Sequence, residues 1–322
     1  MPERYPGLEY DVAVLRQKIH GMAADQYAEA VRERLPDADV RLARTPEAER
    51  RAFAEADVAT GYAVDPEDLV DTPVRLFACV YAGTDHLPLD HLAERGVAVT
   101  SAAGVHGPNV AEHVLGAVLW FTRRFHVGRR RQDRREWRSY QARELAGETV
   151  TVVGLGNIGQ AVVDRLDGFD VETVGVRYSP EKGGPTDAVY GFDDLHDALA
   201  DTDYLVCACP LTEETRGLVD AAALETLPPS AVLVNVARGP VVDTGALVDA
   251  LRANSLRGAS LDVTDPEPLP PDHPLWGFDN VQITPHNAGH TPQYYERRAD
   301  ILAANLARAA EDGFEDLENQ VR

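Results

Sequence analysis

Three groups of residues carry types and spacings that could do chemistry. The first is Gly154-Leu155-Gly156-Asn157-Ile158-Gly159, which follows the apolar, β-branched run Thr149–Val153 and opens a helical stretch. In a G-x-G-x-x-G turn between strand and helix, the first glycine permits the tight turn and the second lets backbone amides approach a pyrophosphate. The third lets the helix pack closely on the strand. The helix amino terminus then offers free N–H groups and a partial positive charge to the phosphates. The second group is Arg238, which follows the strand-like run Val232–Asn235 and so sits at the carboxyl end of a sheet, where ligands bind in such folds. A guanidinium fork there can hold a carboxylate and a neighbouring keto oxygen together and stabilise negative charge developing on that oxygen. The third is His286, which follows the run Val281–Ile283 and is preceded by Pro285, a context shared by none of the other nine histidines. An imidazole in that position can give or take a proton near neutral pH.

The strand after the glycine turn decides which dinucleotide fits. A site for NAD usually places Asp or Glu about 20 residues beyond the turn, at the strand end, to hold the ribose 2′-hydroxyl. Here the strand reads Val171-Glu172-Thr173-Val174-Gly175-Val176 and ends in Arg177-Tyr178-Ser179. Asp170 and Glu172 lie at the opposite end, roughly 15–20 Å away by strand rise. Arg177 would attract a 2′-phosphate and Ser179 could donate a hydrogen bond to it. The expectation is a preference for NADP(H), with NAD(H) accepted as the lesser alternative.

The elements that must position these groups are legible as a β-α rhythm. Strand-like runs at 11–15, 39–43, 58–60, 76–80 and 97–100, with a helix at 23–35, predict a parallel sheet covered by helices. A long apolar helix at 110–125 follows, and the rhythm restarts with strands at 150–153, 171–176, 205–208, 232–235, 258–261 and 281–283. Six strands are the number a doubly wound dinucleotide-binding sheet uses. A closing helix at 292–311 is placed to return to the first domain. The division is therefore 1–102 with 290–322 as one domain and 103–289 as the other.

Several stretches together resemble one known family, the D-isomer-specific 2-hydroxyacid dehydrogenases. They are Ala82-Gly83-Thr84-Asp85-His86-Leu87-Pro88, Asn109-Val110-Ala111-Glu112-His113, the glycine turn, Pro210-Leu211-Thr212-Glu213-Glu214-Thr215-Arg216-Gly217, Asn235-Val236-Ala237-Arg238-Gly239, residues 261–269 and Thr284-Pro285-His286. They span most of the chain in the family's order. The resemblance implies an α/β protein of two doubly wound parallel-sheet domains, a Rossmann coenzyme domain and a flavodoxin-like substrate domain, with the active site in the cleft between them. It implies reduction of 2-keto acids to D-2-hydroxy acids. Arg238 would bind and polarise the substrate, His286 would act as acid/base, and Glu267, in Asp265-Pro266-Glu267-Pro268, would stabilise the imidazolium. It implies that Tyr81, Ala82 and Gly83 meet the substrate carboxylate. Coenzyme contacts would further include Pro210, Thr215, Val236, Ala237, His286 and Gly289, with Asp262 accepting from the carboxamide. Arg177 is a departure, since many members carry Asp there. A dinucleotide-sensing, non-catalytic binding protein of the same fold is the alternative function.

Composition bounds the setting. The chain has 322 residues, 53 acids against 31 bases and a formal charge of −22; only Lys18 and Lys182 are lysines. Self-repulsion at this charge is relieved by counterions, so acid excess with lysine depletion points to a halophile. The same charge argues against nucleic-acid binding. No apolar run approaches the ~20 residues needed to span a bilayer, and the N-terminus lacks the apolar stretch of a secretory signal. A cytoplasmic protein is expected, with Cys79, Cys207 and Cys209 as buried core residues rather than disulfide partners or metal ligands. Eight arginines between 123 and 138 form an arm expected to meet the acidic surface of a second subunit, giving a homodimer through the coenzyme domain.

Overall fold

Short β-branched runs bounded by Gly, Pro or Asp become strands buried on both faces, as a parallel sheet covered by helices requires. The computed structural model describes residues 2–19 and 21–321. They fall into two compact units, one holding the residues up to Val105 with those from His290 on, the other His106–Gly289.

In the first unit, β1 (Asp11–Val14), β2 (Asp39–Leu42), β3 (Val58–Gly61), β4 (Leu76–Cys79) and β5 (Ala98–Thr100) form a parallel sheet in the order β2-β1-β3-β4-β5. This is the flavodoxin-like doubly wound order. The helices Ala24–Arg34 and Tyr294–Asp312 share a core there, with Tyr27 and Val31 in one cluster with Tyr295, Leu302 and Leu306. Arg34 is buried between them, and its charge is met by Glu296 and Asp300 at 2.7 Å each. The closing helix therefore belongs to the unit that begins the chain.

In the second unit, β6 (Thr149–Val153), β7 (Glu172–Val176), β8 (Ala188–Tyr190), β9 (Tyr204–Cys207), β10 (Val232–Asn235), β11 (Gly258–Leu261) and β12 (Val281–Ile283) form a parallel sheet. Its order is β12-β11-β10-β9-β6-β7-β8. The sequence rhythm predicts six strands and the structure has seven. The extra one, β8, is three residues at the sheet edge beside β7, too short to show a periodicity. The order reverses between β6 and β9, the topological switch point at which such sheets bind ligands.

The long helix expected at 110–125 is two helices, Gly107–Thr122 and Phe125–Asp133, broken where Arg124 turns left-handed at φ +53°. The apolar pattern runs through Phe125, so hydrophobicity alone did not mark the stop. The second helix carries the first part of the arginine arm, and Trp137 beyond it is fully exposed. The three cysteines are free and buried. Among the described residues no helix is long and apolar enough to cross a membrane.

Candidate active site

The glycine turn has the geometry its residue types demand. Gly154 takes φ +99°, and a Cβ there would lie 2.6 Å from the backbone of Cys209; a Cβ at Gly159 would lie 1.9 Å from the Gly154 carbonyl oxygen. Both positions exclude any other residue. Gly156 differs: it caps the helix Asn157–Leu166, no side chain caps that helix, and the space before it is open. The first-turn N–H groups therefore face an open approach, a fit for a phosphate. Leu155 is buried and Ile158 packs against the same core, so these two hold the turn in place. Asn157 is exposed at the helix start.

In front of this turn lies a cavity of about 450 Å³ lined by Gly154, Leu155, Gly156, Arg177, Tyr178, Ser179, Pro210 and Thr215. Arg177 follows β7 directly, and its Nη1 donates to Gly183 O at 2.6 Å, which fixes the guanidinium at the rim. The Thr215 hydroxyl donates to Pro210 O at 2.6 Å and so braces the far wall. Burial pushes the Cys209 thiol up to about 11, leaving it a neutral part of the lining. The structure adds lining residues that the sequence reading missed, Lys182, Phe192, Thr212 and Glu214. Lys182 had one available signal: it is one of two lysines in the chain.

Three adjacent strand ends carry the remaining groups. After β10, Asn235 is buried and fixes the next turn, accepting from Ala237 N at 3.1 Å and donating to Arg238 O at 3.2 Å. Val236 and Ala237 are buried, and the Arg238 side chain is exposed, with its Nη1 donating to Ala237 O at 2.7 Å. Gly239 packs so tightly on the loop after β11 that a Cβ would lie 2.0 Å from Thr264 O. The Arg238 turn is thus seated on the loop that bears Glu267.

After β12 comes His286, held at φ +52°, an unusual backbone conformation for a side-chain-bearing residue. Its N–H donates to Asp262 O at 2.8 Å. Buried Asp262 secures the rest of the loop, accepting from Thr284 Oγ1 at 2.5 Å, Asn287 N at 2.8 Å and Ala288 N at 2.9 Å. Three donors occupy most of the roughly four acceptor positions of a carboxylate. Asp262 is therefore first an anchor of the His286 loop. Gly289 O and Ala288 O are tied in turn to His106 at 3.1 Å and Asn109 at 2.7 Å.

Within this frame His286 Nδ1 meets Glu267 Oε1 at 2.7 Å, with both side chains about half exposed. That contact leaves Nε2 as the ring nitrogen available for proton exchange. The pair borders a cavity of about 580 Å³ whose walls include Pro268, Leu269, Trp276, Ile283 and Pro285. Arg238 does not line that cavity. It stands two strand steps from β12, about 10 Å by inter-strand spacing.

In the first unit, Tyr81, Ala82 and Gly83 follow β4 as an exposed turn, with open space around Gly83.

Residues 115–288 match the family model described as D-isomer specific 2-hydroxyacid dehydrogenase, NAD binding domain. A glyoxylate reductase of Thermofilum pendens is 38% identical over 253 residues, covering 76% of this chain and 74% of that protein. A D-3-phosphoglycerate dehydrogenase of Mycobacterium bovis is 34% identical over 279 residues, 85% of this chain and 51% of the longer relative. A D-isomer specific 2-hydroxyacid dehydrogenase of Xanthobacter autotrophicus Py2, solved in complex with NADPH and MES, superposes with a TM-score of 0.77 at 30% identity, covering 97% of this chain and 98% of that one.

Proposed function

This chain belongs to the D-isomer specific 2-hydroxyacid dehydrogenase family, and on that premise we propose that it is an NADP(H)-preferring oxidoreductase interconverting small 2-keto acids and D-2-hydroxy acids. When bound, the nicotinamide supplies a hydride to C2 of the keto acid, or accepts it in the reverse direction. Arg238 grips the substrate carboxylate and the keto oxygen and stabilises the charge that grows on that oxygen. Protonated His286 gives its Nε2 proton to the incipient alkoxide, which leaves a neutral imidazole and a neutral hydroxyl. Glu267 holds the ring through Nδ1 and stabilises its cationic form. In oxidation the same nitrogen takes the proton back. The Tyr81-Ala82-Gly83 turn offers main-chain N–H groups to the carboxylate, and Asp262 uses its remaining acceptor position for the carboxamide. The observation that carries this reading is the 2.7 Å Glu267–His286 contact, made at the ends of β11 and β12, one and two strands from the β10 end that bears Arg238.

The coenzyme preference rests on two cations, Arg177 and Lys182, lining one cavity against a single carboxylate, Glu214. The Xanthobacter relative solved with NADPH is consistent with it. NAD(H) is the lesser alternative. On this reading 106–289 is the coenzyme unit and the other unit serves the substrate.

The setting belongs to the proposal too. Three free, buried thiols suit a reducing cytoplasm. The charge of −22 suits a halophile. The arginine arm, with Trp137 exposed, suits pairing of two coenzyme units into a homodimer.

Reduction of pyruvate with NADPH in molar salt tests the central reading, with the product resolved by chirality. D-lactate is expected. L-lactate would refute the stereochemical assignment, and dinucleotide binding with no turnover of any 2-keto acid would favour the sensing, non-catalytic alternative.

A further inference from the structure

Tyr62, Tyr81 and His86 form one open aromatic cluster in the first unit. Tyr62 follows β3 and Tyr81 lies two residues past β4; these strands are neighbours, with Gly61 in register with Cys79. Both tyrosines therefore stand at the carboxyl end of the sheet, the end at which such folds bind ligands. The His86 ring lies flat on Tyr62, with centroids 4.2 Å apart and planes 8° from parallel. Tyr81 meets Tyr62 edge to face at 5.0 Å and 72°.

The cluster is held rigidly. His86 Nε2 lies 2.7 Å from Tyr62 O, which fixes the imidazole over the phenol. Tyr81 N donates to Cys79 Sγ at 3.4 Å, and the same buried thiol lies 3.7 Å from Tyr62 O.

Rigidity without burial separates this cluster from the structural aromatics of the same unit. Tyr27 stacks on Tyr295 at 5.2 Å with each only 2–3% exposed, whereas Tyr62 and Tyr81 are each 37% exposed. An ordered aromatic surface left open beside a substrate-binding turn is complementary to another aromatic ring, since edges and faces of both polarities are presented.

We propose that the Tyr62–Tyr81–His86 cluster receives an aromatic ring carried on C3 of the 2-keto acid, so that the preferred substrates are arylpyruvates rather than glyoxylate. The proposal rests on the 2-keto acid reading above. It uses only the first unit: with the carboxylate at the Gly83 turn, a ring one methylene beyond the keto carbon reaches the side chain of the neighbouring Tyr81.

The test compares kcat/KM for phenylpyruvate, pyruvate and glyoxylate with NADPH, in wild type and Tyr62→Ala. Wild type is expected to favour phenylpyruvate over pyruvate by about 10²-fold, the scale on which apolar pockets discriminate. Tyr62→Ala is expected to lower that ratio about tenfold. Turnover of pyruvate or glyoxylate with phenylpyruvate disfavoured, or a ratio unmoved by Tyr62→Ala, would overturn the cluster's role and leave the 2-keto acid reading intact. Should no 2-keto acid turn over, that reading fails, and titration of the NADP⁺-loaded protein with phenylpyruvate judges the cluster alone. Binding weakened about tenfold in Tyr62→Ala supports it; absence of binding to wild type overturns it. Tyr62→Leu, which keeps bulk but removes the ring, gives the same comparison if the alanine variant does not fold.

Discussion

Glu267 Oε1 lies 2.7 Å from Nδ1 of His286, although the two residues are 19 positions apart in the chain and on loops after different strands. The consequence is a positioning role for the carboxylate, which holds the imidazole through Nδ1 and leaves Nε2 for the substrate. In Glu267→Gln that hold is weakened, and kcat for keto-acid reduction should fall by about 10–10²-fold while NADPH affinity is nearly unchanged. Steady-state kinetics with a parallel NADPH titration check this, and a wild-type kcat in the variant refutes the pairing.

Gly239→Ala tests the seat of Arg238. Its Cβ would fall 2.0 Å from Thr264 O, so the Arg238 turn and the Glu267 loop must separate. The expected cost is about 1–3 kcal/mol of stability, as for overpacking elsewhere. A larger fall in kcat/KM for the keto acid than in NADPH affinity should accompany it. Denaturant unfolding, steady-state kinetics and NADPH titration read the three quantities, and a fully active variant of unchanged stability would contradict the packing argument.

Arg177→Asp replaces the cation at the end of β7 with the carboxylate that NAD sites carry. The ratio of kcat/KM for NADPH to that for NADH should fall at least tenfold, since a charge-assisted hydrogen bond is exchanged for repulsion. Lys182→Ala should shift the ratio in the same direction by less. An unchanged ratio in Arg177→Asp would remove the argument for NADP(H).

Salt dependence tests the halophile reading. Raising KCl from about 0.1 M to 1 M shortens the screening length from about 10 Å to 3 Å, and relief of self-repulsion should raise Tm. A Tm that stays flat or falls over that range would show that the acidic surface is not tuned to salt.

How much of the fold and site is legible in the sequence depends on the range of each interaction. The glycine turn and the positions of Arg238 and His286 at strand ends were readable because strand, turn and functional residue are contiguous. The role of Asp262 as anchor of the His286 loop was not, because its donors, Thr284, Asn287 and Ala288, lie more than twenty positions away. Nor was the contact of Gly239 with Thr264, since a glycine after an arginine reads as a turn until its neighbour is placed. Lys182 lines the cavity in front of the glycine turn from a short turn after β7 that has no pattern of its own. The break at Arg124 is hidden in the sequence because apolar residues continue past it, while the left-handed backbone that ends the helix leaves no compositional trace.

The most direct measurement is oxidation of NADPH by a 2-keto acid in wild type and His286→Gln, with NADPH affinity measured in parallel. Loss of the proton donor should lower kcat by about 10²–10⁴-fold, while NADPH binds with nearly unchanged affinity. A glutamine variant that reduces the keto acid at the wild-type rate would contradict the account.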